Sequence, residues 1–153
     1  AVAEVAGGAL RGRAGRGCGG VIWVWSLGGL VPAPPGHTLY SPAKAFVIKM
    51  TEALASEMEG TGVHVTVTCP GFTHTEFHDV TGNREQVSQL GSYMWMEARD
   101  VVRGALDAAE SGQVLHVPGA WNKGVATVTR LLPHAMAHRA TASQGRKMRA
   151  QTR

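Results

Sequence analysis

The chain has 153 residues, enough for one domain with a substantial core, and its composition is ordinary apart from 20 glycines. No window approaches the run of about 18 apolar residues that a membrane span needs, and the N-terminus lacks the basic, then apolar, then small pattern of a secretory leader. Cys18 and Cys69 offer no disulfide framework, so a reducing cytoplasm is the expected compartment, and Cys69 reads as a small buried apolar residue.

The net charge of +4 hides an uneven distribution: residues 121–153 carry seven Lys/Arg and no Asp/Glu, whereas residues 21–120 carry five against ten. An acidic globular part is expected, followed by a basic tail over 133–153. The first residue is Ala rather than Met, so the chain reads as a piece of something longer.

Residues 1–20 are rich in Ala, Gly and Arg without clear periodicity, and read as a poorly defined segment. Gly15, Gly17 and Gly20 satisfy the letters G-x-G-x-x-G, but they precede a strand and follow none. A dinucleotide fingerprint needs the reverse, because a helix N-terminus must receive the pyrophosphate, so these glycines are expected to form a turn. Arg11, Arg13 and Arg16 are too few to argue for nucleic acid.

Val21–Trp25 is a short apolar run of β-branched and aromatic residues, as in a strand covered on both faces. Ser26 follows at its C-terminal end, where ligands sit in open α/β sheets; the plainer alternative is a serine that caps a turn. A helix is expected over 41–59, with Pro42 in its first turn, where a missing N–H costs nothing. Ala43, Val47, Met50, Leu54 and Met58 are expected to face the sheet, and Phe46, Ile48 and Ala53 give a second apolar face. Tyr40 and Lys44 stand four residues apart, one turn above each other on one side of that helix. A phenol titrates at about 10, and a neighbouring ammonium favours its phenolate, so the pair can act as an acid/base device. On its own such spacing is usually just a packed ring and a solvated amine.

Gly60-Thr-Gly62 ends the helix, and Val63, Val65 and Val67 alternate with polar residues in a strand that Pro70-Gly71 terminates. His74, Glu76 and His78 invite a metal reading, but the spacing matches no zinc motif, and histidines lining a substrate mouth are the better expectation. Residues 79–96 are polar and irregular up to Tyr93-Met-Trp-Met96. A helix is expected over 97–110 and a last strand over 113–117. Trp121, Val125, Val128 and Leu132 recur on one side of a final helix. With the basic tail, this helix could lie on an anionic membrane surface; a helix docked on the domain, with a solvated tail, is the weightier reading.

Strand, serine, loop, Tyr-x-x-x-Lys helix, strand, Pro-Gly-x-x-x-Thr: this order resembles the short-chain dehydrogenase/reductase family. The resemblance implies an α/β fold, a Rossmann-like doubly wound parallel sheet with helices on both faces, of which residues 21–132 supply the C-terminal half. It implies an NAD(P)-dependent oxidoreductase acting on a ketone or secondary alcohol, with Ser26, Tyr40 and Lys44 as catalytic residues. Tyr40, Lys44, Pro70, Gly71 and Thr75 would contact the cofactor, NADP or NAD. Tyr93, Met94 and Trp95 would belong to a substrate lid suited to an apolar molecule; packing without ligand contact is an equal alternative for them. The helix over 41–59 would join two copies as a homodimer. The family's glycine-rich phosphate loop, its cofactor-selecting residue and its catalytic asparagine have no counterpart in this sequence, so the chain alone is expected to bind cofactor weakly. Two other readings stay open: a non-catalytic dimerising remnant, and a binder of nucleic acid or membrane surfaces working through the basic ends.

Overall fold

A computed structural model describes residues 2–33, 39–76, 91–133 and 136, with backbone only for 2–6. The expectations for His78, residues 79–90 and most of the basic tail fall outside the described residues.

Three parallel strands form the central sheet in the order β1-β2-β5: β1 (Gly19–Val24), β2 (Val63–Thr68) and β5 (Leu115–His116). Val21 lies opposite Val65 and Trp23 opposite Val67, so the apolar alternation read in the sequence lands in register. Val63, Val65 and Val67 point to one face, with exposures of 6%, 3% and 0%. That face is covered by α1 (Val2–Ala14) and α2 (Tyr40–Glu57). Leu10 of α1 packs on Val63 and Val65 beside Leu54, Ala55 and Met58 of α2. Ile48 of α2 packs on Val67 and Cys69, with Trp23, Trp25 and Leu115 around it.

Alternation sends Thr66, Thr68 and His116 to the other face, which is covered by α3 (Ala98–Glu110) through Val101, Ala105, Ala108 and Ala109. These buried polar groups are satisfied. Thr66 Oγ1 donates to the Gln113 carbonyl at 2.9 Å, and Thr68 Oγ1 lies 2.9 Å from His116 Nδ1. The layering is helix, sheet, helix, as the α/β expectation required. A second small sheet pairs β3 (Phe72–His74) with β4 (Trp95–Glu97), and α4 (Ala120–Leu131) follows β5.

Several expectations need correction. Residues 2–14 form a helix rather than an ill-defined segment, and β1 begins at Gly19. Gly7, Gly8 and Gly12 each weaken a helix by roughly 1 kcal/mol, so propensity hides it. Leu10, at 1% exposure, anchors α1 on the sheet, with Ala14 packed beside it. The sheet-facing stripe of α2 is also rotated. Ile48 and Thr51 are buried at 2% and 0%, whereas Ala43 lies exposed. Thr51 escapes a pattern based on apolar residues because its hydroxyl is spent on the Val47 carbonyl at 2.7 Å. The last strand is shorter than 113–117. Residues 95–97, expected to be irregular or the start of a helix, form a strand because β3 offers them a partner.

The turn after α2 is tight against the turn after α1. A Cβ at Gly62, whose φ is +74°, would collide with the Gly17 carbonyl. This contact seats the two helix ends side by side over the N-terminal edge of the sheet.

Candidate active site

The site lies at the C-terminal ends of β1 and β2. Pairing continues past the strands: Trp25 N–H donates to the Thr68 carbonyl at 2.8 Å, and Leu27 N–H donates to the Pro70 carbonyl at 2.9 Å. Ser26, between these two bonds, is therefore held beside Pro70-Gly71. Its backbone is extended (φ −160°, ψ 143°), and a short helical turn, Leu27–Gly29, follows. Ser26 Oγ accepts the Gly28 N–H at 3.1 Å. The turn-capping alternative is thus true, and it leaves the serine free to do more.

Tyr40 opens α2 and donates its hydroxyl proton to Ser26 Oγ at 3.2 Å. Two glycines allow this approach. A Cβ at Gly28 would stand 3.1 Å from Tyr40 Cε1, and one at Gly29 would stand 2.7 Å from both the Lys44 carbonyl carbon and Ile48 Cδ1. Ser26-Leu-Gly-Gly thus works as a seat for the first turns of α2. One turn along, the Lys44 ammonium lies 5.2 Å from the centre of the Tyr40 ring and 3.9 Å from that of Trp25. Burial pushes the Lys44 ammonium below the ordinary lysine range, with Cys69 acting in the opposite sense. Cys69 sits fully buried behind the site, and burial pushes its thiol up to about 11, against the opposing effects of the Ser26 backbone N–H and the Lys44 charge.

A cleft of about 450 Å³ opens over these groups. Ser26, Tyr40, Lys44, Pro70, Gly71 and Thr75 all line it, together with Thr73, Val101 and Val102. Six residues singled out in the sequence as catalytic or cofactor-binding therefore meet in one place. Tyr93, Met94 and Trp95 are not among its lining residues. Tyr93 packs edge-on against Trp121 of α4, with ring centres 5.0 Å apart. Trp95 stacks on His74 at 4.7 Å and leans on Phe72 at 5.6 Å. His74 also lies 4.0 Å from Glu97.

The sequence reading missed Asn122, which is 4% exposed at the start of α4. Its Nδ2 donates to the Pro118 carbonyl at 3.0 Å and to Met96 Sδ at 3.4 Å, and its Oδ1 fills the space where a Cβ of Gly71 would stand. One amide thus ties together the segments that follow β2 and β5 and the strand β4. An asparagine between exposed Trp121 and Lys123 gives no sign of this in the sequence.

A parallel sheet between helical layers, with Ser26, Tyr40 and Lys44 gathered at its carboxyl edge, defines an α/β fold of the Rossmann-like kind. The sequence profile described as short chain dehydrogenase matches residues 1–86, more than half of the chain. The chain belongs to the short chain dehydrogenase family. It is 49% identical over 57 residues to the 7beta-hydroxysteroid dehydrogenase of Collinsella aerofaciens, a stretch covering 37% of this chain and 21% of that one. Among solved structures, it resembles that of a 7beta-hydroxysteroid dehydrogenase with a TM-score of 0.73 at 27% identity, over 90% of this chain and 53% of the other. It also resembles a short chain dehydrogenase from Burkholderia cenocepacia in complex with NADP, with a TM-score of 0.63 at 25% identity over 80% of this chain and 47% of the other. The chain spans about half the length of these solved relatives and 21% to 39% of curated ones.

Proposed function

We propose that the chain carries the catalytic half of an NAD(P)-dependent oxidoreductase that interconverts a ketone and a secondary alcohol. The observation that carries this reading is the hydrogen bond from Tyr40 to Ser26 Oγ at 3.2 Å, with the Lys44 ammonium one helical turn away. Ser26 Oγ accepts from both Gly28 N–H and Tyr40, so its own proton remains to be donated. A carbonyl oxygen entering between the two hydroxyls accepts one hydrogen bond from each, because it has two lone pairs. In reduction Tyr40 transfers its proton to that oxygen, Ser26 holds the oxygen in place, and Lys44 stabilises the negative charge left on the phenol.

The cleft suits a nicotinamide cofactor. Its volume is in the usual range for small-molecule sites, and it has a cation on one wall and Pro70-Gly71 on another. Pro70, Gly71 and Thr75 would flank the ring, and Tyr40 and Lys44 would face its ribose. When bound, the cofactor, NADP or NAD, supplies or takes up the hydride. The name of one relative, a 7beta-hydroxysteroid dehydrogenase, supports a bulky apolar alcohol or ketone, and exposed Val102 in the lining of the cleft agrees with this. The lid role for Tyr93, Met94 and Trp95 gains no such support from the lining of the cleft.

A homodimer through α2 is part of the same reading. Phe46 is 62% exposed on the side of α2 turned from the sheet, with exposed Ala43 and Ala53 on the same helix. A second copy of α2 would cover them.

The test is turnover of NADPH or NADH with a panel of ketones, wild type beside Tyr40→Phe. Substrate-dependent oxidation of the cofactor by wild type, lost in Tyr40→Phe, is expected. Equal rates in the two would overturn the assignment.

A further inference from the structure

Trp25 immediately precedes Ser26 and touches Lys44 at two points. Its indole Nε1 donates to the Lys44 carbonyl at 2.9 Å. The Lys44 ammonium lies 3.9 Å from the centre of the same ring system, closer than to the ring of Tyr40. Trp25 has little freedom of its own: it packs against the buried cluster of Ile48, Val67 and Cys69, and its backbone N–H is bonded to Thr68.

We propose that Trp25 is a positioning residue for Lys44, holding the helix turn that carries the lysine by one edge of the indole and the ammonium by its face. A lysine side chain is long and flexible, and fixing it costs conformational entropy. The attraction between a cation and an indole face offsets part of that cost and is strongest where water is excluded. Burial alone works against the charged form of Lys44. The indole acts in the opposite sense, because its π face favours the cation. The lysine is thereby set at the cleft wall, charged and oriented, before any ligand arrives.

This inference rests on Lys44 belonging to the reacting group, but its test does not use turnover. The lysines of the intact chain are converted to 13C-dimethyl-lysine, which keeps the positive charge, and Lys44 is assigned among Lys44, Lys49, Lys123 and Lys147 with Lys44→Arg. In wild type the Lys44 methyl signal is expected upfield of the other three, with a nuclear Overhauser effect to indole protons. Trp25→Phe keeps a displaced signal, whereas Trp25→Leu returns it to the position of the others and lowers the pH at which it titrates. A wild-type Lys44 signal that coincides with the rest, or shows no contact with an indole, overturns the proposal without recourse to any variant. So does equal displacement in wild type and a folded Trp25→Leu. A displaced Lys44 signal in a chain without Tyr40-dependent turnover would uphold the positioning role and remove the catalytic reading instead.

Discussion

Tyr40 and Ser26 stand fourteen residues apart in the chain and share one hydrogen bond of 3.2 Å at the cleft. Two groups that act on a single oxygen do not contribute independently. Tyr40→Phe is expected to lower the rate by about 10²–10⁴, the usual scale for removing a proton donor. Adding Ser26→Ala to that variant should then cost much less than Ser26→Ala does in wild type. Steady-state rates of the four proteins measure this, and strict multiplicativity would mean that the hydroxyls serve different atoms.

Gly29→Ala should destabilise the fold by about 1–3 kcal/mol, because the new methyl overpacks a filled space. The added carbon would stand 2.7 Å from the backbone of Lys44 and 2.9 Å from its carbonyl oxygen, and backbone cannot swing aside. Gly124→Ala, with open space around its Cβ, is the control and should be neutral or slightly stabilising. Urea unfolding of the two variants checks the contrast.

The two cysteines should differ sharply in reactivity. The thiolate is the reactive form, and burial pushes the Cys69 thiol up to about 11, so near neutrality it stays protonated as well as inaccessible. Cys18 is exposed. Titration with a chromogenic disulfide at pH of about 8 should reveal one fast thiol in the native chain and a second only in denaturant. Two fast thiols would show that the strand end carrying Cys69 opens readily.

His116 predicts a pH dependence of stability. Burial, with Lys123 adding to it and Asp107 opposing it, holds its imidazole below the ordinary value of about 6.5. The unfolded chain therefore takes up a proton at a pH where the folded chain does not. Stability from this group is complete above about 6.5 and is lost as pH falls through that value toward the lower folded one. His116→Gln should flatten that part of the profile, with unfolding free energies measured between pH of about 5 and 8. Parallel profiles for the two proteins would count against it.

The sheet, and the meeting of Ser26, Tyr40 and Lys44 at one cleft, were legible because each rests on a pattern that survives without context. The alternating valines at 63, 65 and 67 and the serine, tyrosine and lysine at 26, 40 and 44 all stand where the order of elements put them. What was not legible depended on partners distant in sequence. Helix α1 exists because Leu10 finds Val63 and Val65, and no periodicity around Leu10 announces that contact. The stripe of α2 was misread where a threonine, Thr51, does the work of an apolar residue by bonding its hydroxyl to its own helix. Trp95 reads equally as a substrate-facing and as a packed aromatic; that β3 pairs with its strand and sets His74 against its ring was not visible in the sequence. Asn122 has no signature at all, since its value comes from three neighbours that the sequence does not place beside it.

Asn122 also adds a side-chain link between two segments that leave neighbouring strands. Its amide occupies the gap over Gly71 while gripping the carbonyl of Pro118, so α4 and the floor of the cleft are geared through one side chain. A shift of the last helix along the sheet would press the Asn122 amide on the backbone at Gly71.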